Sequence, residues 1–219
     1  MSIRKYMLKF FLLPAALIFA GCTASVEVHA GSDKSTAVQY TASFGSAFIN
    51  TMRSFSDDPA APLFDADTIA AQLRGSGIQN AEVKTPSGTA LAVSASIPSG
   101  SKNTISSAGL VTYDNNSNKM TLTLSPSDLT ALYASLPETI QSYIDLFMAP
   151  VFSGESMTAN DYIELVASVY GRPLADEVAA AQVSISLYPP AGTGTEKKIS
   201  VPLTDILTAQ NPLVYSVQW

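Results

Sequence analysis

The apolar positions change period several times along the chain, and each change marks an element. Tyr40, Phe44, Phe48, Met52 and Phe55 recur three or four residues apart, the spacing of one face of a helix. Asp57-Asp58-Pro59 ends that helix, and Pro62 keeps the link non-helical. A second helix starts near Asp67, turns Ile69 and Leu73 inward and closes at Gly75 or Gly77. The period then becomes two. Ala81 to Thr85 and Thr89 to Ile97 read as strands joined by Pro86-Ser87-Gly88, with Leu91, Val93, Ala95 and Ile97 on one face. Leu110 to Tyr113 and Lys119 to Leu124 make a second hairpin, in which Met120, Leu122 and Leu124 point the same way.

Helical spacing then returns. Ser127 caps a helix carrying Leu129, Leu132, Tyr133 and Leu136, which Pro137 interrupts. Ser135 and Glu138 stand at capping-box spacing ahead of Ile140, Tyr143, Ile144 and Phe147, and Pro150 stops that helix. Thr158 and Asp161 start another, with Ile163, Val166, Val169 and Tyr170 inward and Gly171 at its end; Leu174 to Ala181 is one more. Two strands, Val183-Ile185-Leu187 and Ile199-Val201-Leu203, flank a Pro/Gly loop, and Leu213, Tyr215, Val217 and Trp219 alternate at the C-terminus. Helices, strands, helices and strands follow one another with no internal repeat. That order predicts an α+β domain, with a largely antiparallel sheet and several short amphipathic helices.

The first residues follow neither period. Arg4, Lys5 and Lys9 precede an uncharged run from Phe10 to Gly21. A membrane span needs about 20 apolar residues, so this run is short for a span and has the layout of an export signal. The segment Leu17-Ile18-Phe19-Ala20-Gly21-Cys22 resembles the lipobox of bacterial lipoproteins, with Phe19 standing where Leu is usual. The resemblance implies a diacylglycerol on the Cys22 thiol, cleavage just before it, and a protein held to a membrane by palmitate-type acyl chains. Thr23 follows the cysteine; by the same resemblance, a residue other than Asp there favours the outer membrane in bacteria that have two. The chain thus divides into a signal peptide over residues 1–21, a lipidated tether over 22–35 in which Val26 and Val28 have the spacing of a short strand, and a single α+β domain over 36–219.

Charge narrows the partners. Only 14% of residues are charged, against roughly 25% in soluble domains generally, so Ser, Thr, Ala and Asn take much of the surface. The chain has 12 basic and 18 acidic residues. Three of the basic ones lie in the leader with no acid, so the remainder is more acidic than the net −6 of the whole. Such a surface repels phosphate backbones, which argues against nucleic acid, and gives no pull toward anionic headgroups. Attachment to a membrane therefore falls to the lipid on Cys22.

Candidate chemistry is sparse. Cys22 is the only cysteine, so internal disulfides and cysteine-based metal sites are excluded. The only histidine, His29, falls in the expected tether and has no partner for a triad or a metal site. Asp114-x-Asn116-x-Asn118 has the first half of a calcium loop, but Lys119 stands where Gly is needed and Ser125 where Glu is needed; a polar hairpin turn accounts for it. Gly192-Thr193-Gly194-Thr195-Glu196-Lys197 lacks Walker spacing and lies between strands. The acid pairs Asp57/Asp58, Asp65/Asp67, Asp161/Glu164 and Asp176/Glu177 all sit near helix starts, where acids suit the helix dipole.

One segment stands apart. Ile144 to Phe152 carries one charge and a proline, so it is not continuous helix. It either fills the core or offers Ile144, Phe147, Met148, Val151 and Phe152 to an apolar ligand. No catalytic residue, metal or cofactor is assigned. Three functions follow in order: a non-catalytic envelope module that binds a ligand or an envelope protein partner, a carrier of lipid or another apolar ligand, and a carboxylate-based hydrolase. A cavity with apolar walls separates the second from the others. The anchor is tested by Cys22→Ser, which should abolish incorporation of labelled fatty acid and leave uncleaved precursor; normal cleavage and release of the mutant would refute it.

Overall fold

The computed structural model describes residues 23–55, 60, 62–75, 78, 80–99, 110–114, 116–134, 145 and 149–219. Among them are nine strands: β1 (Thr23–Ala30), β2 (Thr36–Ser43), β3 (Glu82–Ser87), β4 (Ala90–Ile97), β5 (Val111–Asp114), β6 (Lys119–Leu124), β7 (Gln182–Tyr188), β8 (Lys197–Pro202) and β9 (Leu213–Gln218). The described helices are α1 (Ser46–Ser54), α2 (Ala66–Gly75), α3 (Pro126–Ala134), α4 (Pro150–Ser153), α5 (Ala159–Tyr170), α6 (Arg172–Ala180) and α7 (Leu203–Leu207). The fold is α+β. A six-stranded sheet runs in the order β3-β4-β2-β1-β7-β8, and a three-stranded sheet in the order β5-β6-β9. Every pair is antiparallel except β1 with β7.

The large sheet has two unlike faces, and the register fixes them. Val83, Val93, Tyr40, Val26, Ile185 and Ile199 stand side by side across all six strands. The row before it holds Leu91, Ala42, Ala24, Val183 and Val201 on the same face. Between these rows, on the opposite face, come Lys84, Ala92, Thr41, Ser25, Ser184 and Ser200. The period of two thus sends apolar side chains to one side and small polar ones to the other. Helices and the small sheet cover the apolar side; Thr41, Ser43, Ser96, Ser184 and Ser200 on the other side are exposed.

This places residues 23–30 differently from the tether expected over 22–35. They form β1, a central strand paired on both edges. Ala24, Val28 and Ala30 are buried, with Ser25, Glu27 and His29 alternating. Half of the inward set is alanine, so the strand looks hydrophilic by sequence alone. Between two neighbouring strands a small side chain is enough to close the layer. A turn from Gly31 to Ser35 leads into β2, held by Gly31 N–H donating to the Ser35 carbonyl at 2.8 Å.

The helix expected from Tyr40 to Phe55 is also divided. Tyr40 belongs to β2, and the helix begins at Ser46. A spacing of four is an even number, so Tyr40 and Phe44 share a face in a strand as well as in a helix. Val38, Tyr40 and Ala42 are the alternation that prevails. Elsewhere the differences are smaller. Ser125, not Ser127, caps α3, accepting from Asp128 N at 3.0 Å, with Pro126 at the first helical position, where its missing N–H costs nothing. In α5 the inward residues are Tyr162 and Val166, whereas Val169 is 52% exposed. Leu203 starts the short helix α7 instead of ending β8. The expected cap at Thr158 is present: its Oγ1 accepts from Asp161 N at 3.2 Å. Gly171 ends α5 and opens α6 at φ 92°, a conformation that L side chains rarely adopt.

Helix α1 obtains its cap from a distant part of the chain. Gly45 precedes it and has no side chain to offer. Glu177 on α6 reaches across: its Oε1 accepts from Ala47 N at 2.7 Å and its Oε2 from Phe48 N at 3.0 Å. The carboxylate satisfies two otherwise orphaned donors and meets the positive end of the helix dipole. Buried Tyr162 is the opposite case, since its hydroxyl has no hydrogen-bond partner among the described residues. Glu177→Ala should therefore lower the unfolding free energy by about 2 kcal/mol, from the loss of two charge-assisted bonds. Tyr162→Phe should be neutral or stabilising. Denaturant titrations at unchanged slope read both; a neutral Glu177→Ala would show that the cap contributes nothing.

Candidate functional site

A cavity of about 250 Å³ lies against the apolar face of the large sheet. The sheet supplies its floor: Val26 and Val28 from β1, Val38 and Tyr40 from β2, Val93 and Ala95 from β4, and Val183 and Ile185 from β7. The small sheet supplies the opposing wall through Val111, Leu122 and Leu124. Leu73, Ile78, Leu110, Leu129 and Ile206 close the sides. The cavity has a local cause. Most of its floor is valine or alanine, whose short branched side chains stand upright on the pleat and do not reach the opposing wall.

The two sheets are also joined at a polar point. Tyr113 on β5 shares a hydrogen bond of 3.0 Å with Thr36 Oγ1 at the start of β2, and donates to the Ser35 carbonyl at 3.3 Å. Burial is the main reason its phenol is held above the usual pKa range. It serves as a neutral strut between the layers.

Among the described residues no charged side chain lines the cavity, and Tyr40 is the single lining residue with a polar side-chain atom. Its ring is partly accessible, while its hydroxyl is covered and has no partner among the described residues. Burial pushes the Tyr40 pKa upward, so the group stays neutral. An unsatisfied buried hydroxyl costs about 1–3 kcal/mol. The space is partly open, with Val26, Val38, Val93, Ala95 and Val111 among its half-buried walls; an apolar guest takes that surface out of water and restores contacts to the walls.

The residues singled out by sequence fall elsewhere. Cys22, Ile144, Phe147 and Met148 lie outside the described residues. Val151 is packed in the core, and Phe152 stacks on Tyr133 with ring centroids 5.1 Å apart; neither lines the cavity. His29 stacks flat on Tyr188 at 4.2 Å on the polar face of the sheet. The Asp114 carboxylate accepts from Asn116 N at 2.9 Å and Ser117 Oγ at 2.6 Å, the polar turn predicted for that segment, and these bonds lower its pKa. Asp65 caps α2 through Thr68 N at 3.1 Å. Glu164 pairs with Arg172 in two parallel contacts of 3.1 and 2.9 Å. Gly192 to Glu196 is the loop between β7 and β8. Among the described residues no carboxylate faces the cavity.

What reading by sequence missed is a surface assembled from eight segments, from Val26 to Ile206. The alternations at Val93/Ala95 and Leu122/Leu124 were legible one strand at a time. No sequence signal tells that two such faces meet with space between them. Comparison with known protein families, with curated proteins and with solved structures finds no match. The cavity's chemistry therefore has to be argued from its walls. Ala95→Leu places a larger side chain into that space. In a packed core such an insertion costs about 1–3 kcal/mol; here it should stabilise the protein, raising the denaturation midpoint. A fall of the midpoint would mean that the walls are already in contact.

Proposed function

We propose that this chain is a lipid-anchored bacterial envelope protein whose domain is a non-catalytic carrier, holding a small apolar ligand between its two sheets. The carrying observation is the cavity of about 250 Å³ whose lining has no charged residue among the described residues. A void of about 150 Å³ lined by Leu, Ile and Phe accepts benzene, and drug-sized ligands occupy about 300–1,000 Å³. The guest is therefore larger than a six-carbon ring and smaller than a two-chain phospholipid. A single short acyl or isoprenoid chain fits that range. Binding rests on removal of apolar surface from water, about 25 cal/mol per Å², with no reaction required of the walls.

The anchor gives this reading a setting. Lipid on Cys22 would hold the protein at the membrane, and in the outer membrane where the organism has one. Thr23 is already in β1, and β1 contributes Val26 and Val28 to the cavity floor. Lipidated Cys22 would thus leave almost no slack between bilayer and binding site, so a ligand arriving from that bilayer has little water to cross. No helix among the described residues is long and apolar enough to span a membrane, and the proposed attachment does not need one.

The test uses the full chain purified from its own membrane. Native mass spectrometry should show a co-purifying apolar adduct of modest mass. After delipidation, a short-chain alcohol or ester should raise the melting temperature, because it binds only the folded state. Ala95→Phe, which fills the cavity, should remove both effects while the protein still folds. Wild-type protein with no adduct and no shift from any single-chain ligand would end the carrier reading.

A further inference from the structure

The chemistry of the ligand's polar end can be read from Tyr40. Tyr40 sits in the central cross-sheet row, between Val93 on β4 and Val26 on β1, and neither neighbour's side chain can accept a hydrogen bond. Its hydroxyl is buried and without a partner among the described residues. Phenylalanine would make the same apolar wall without leaving a donor unsatisfied, so the oxygen adds nothing to the packing. Among the described residues of the lining, Tyr40 alone has a polar side-chain atom.

We infer that the Tyr40 hydroxyl is the cavity's recognition group: it hydrogen-bonds the single uncharged polar group, a hydroxyl or an ester or amide carbonyl, of a short single-chain ligand. This rests on the cavity being a ligand site. The neutrality of the ligand follows from the walls. With no cation among the described residues that line the cavity, a carboxylate drawn inside would lose its hydration and gain at most one neutral donor, which does not offset the loss. An ammonium would meet no acid. A neutral oxygen loses much less on entering and recovers it in the bond to Tyr40. Tyr40 lines the cavity while its hydroxyl is covered, so this bond requires the side chain to swing about its Cα–Cβ bond and carry the O–H to the ligand.

The experiment compares 1-decanol with decane, and methyl decanoate with decanoate. Each probe displaces a fluorescent naphthylamine dye from the full chain held in amphipol, with amphipol alone as the blank. Tyr40→Phe should lower the decanol-to-decane affinity ratio about five- to tenfold, as expected for one buried neutral hydrogen bond, and leave decane affinity unchanged. Gln72→Leu is the control. It removes another buried side chain whose polar atoms lack partners among the described residues, one that does not line the cavity, and the ratio should stay as in wild type. In the unmodified protein, methyl decanoate should bind at least tenfold more tightly than ionised decanoate, a result that needs no variant to fold. If both decanol and decane bind and Tyr40→Phe leaves their ratio unchanged, or weakens both equally, the role of Tyr40 is refuted while the carrier reading stands. Equal binding of ester and carboxylate refutes the neutral-ligand class. If no probe displaces the dye from wild type, the carrier reading fails and this inference fails with it.

Discussion

The two-faced alternation of the six-stranded sheet is the constraint on which the rest of the molecule depends. Val28 is 2% exposed and Ile185 1%, while Ser25 and Ser184, one register step away, face the other side. A slip of one residue at β1 would turn both its neighbours' pairing rows inside out, sending Glu27 and His29 into the core. The register is locked from both edges, by β2 antiparallel and by β7 parallel. That pairing joins one of the first described strands to one of the last. Closing so long a loop carries an entropy cost that apolar contacts across the sheet must offset, and this ties the helices between them to one core.

The same alternation explains why the core contains a cavity. Sheets stacked face to face stand about 10 Å apart, a distance that Leu, Ile and aromatic side chains fill well. Where the large sheet offers Val26, Val38, Val93 and Ala95, the layer is shallower than the gap. Around this region the packing is dense: Ile69, Met120, Tyr162 and Leu187 are fully buried. The cavity is thus a local thinning of the floor inside a densely packed frame.

Charge is handled at the margins of that frame. Glu177 caps a helix from another segment, Asp65 and Thr158 cap their own, and Glu164 is spent on Arg172 at the surface. Acids that looked equivalent along the chain thus acquire different duties, most of them structural. The two buried phenols, Tyr40 and Tyr162, both lack partners among the described residues, yet of the two Tyr40 alone lines the cavity. Position relative to the cavity, and not the residue type, separates a recognition group from a hydroxyl carried passively in the core.

Local sequence determined what depends on near neighbours. The hairpins at 81–97 and 110–124, the Asp114 turn, the Thr158 cap and the α+β class were legible, because turn chemistry, capping and alternation act over a few residues. The signal-like leader and the lipobox resemblance at Cys22 are likewise properties of a short linear segment. Tertiary structure alone decided the rest. Thr23 to Ala30 is a central strand because β2 and β7 flank it, which no property of Ala24 or Ala30 announces. Tyr40 is in a strand and not a helix because Val93 and Val26 stand beside it, while its spacing to Phe44 suits both periods. Glu177 caps α1 across 130 residues. The cavity is lined from eight separate parts of the chain, and its volume is a small difference between the gap separating two layers and the lengths of the side chains within it. That difference exists only after the layers have met.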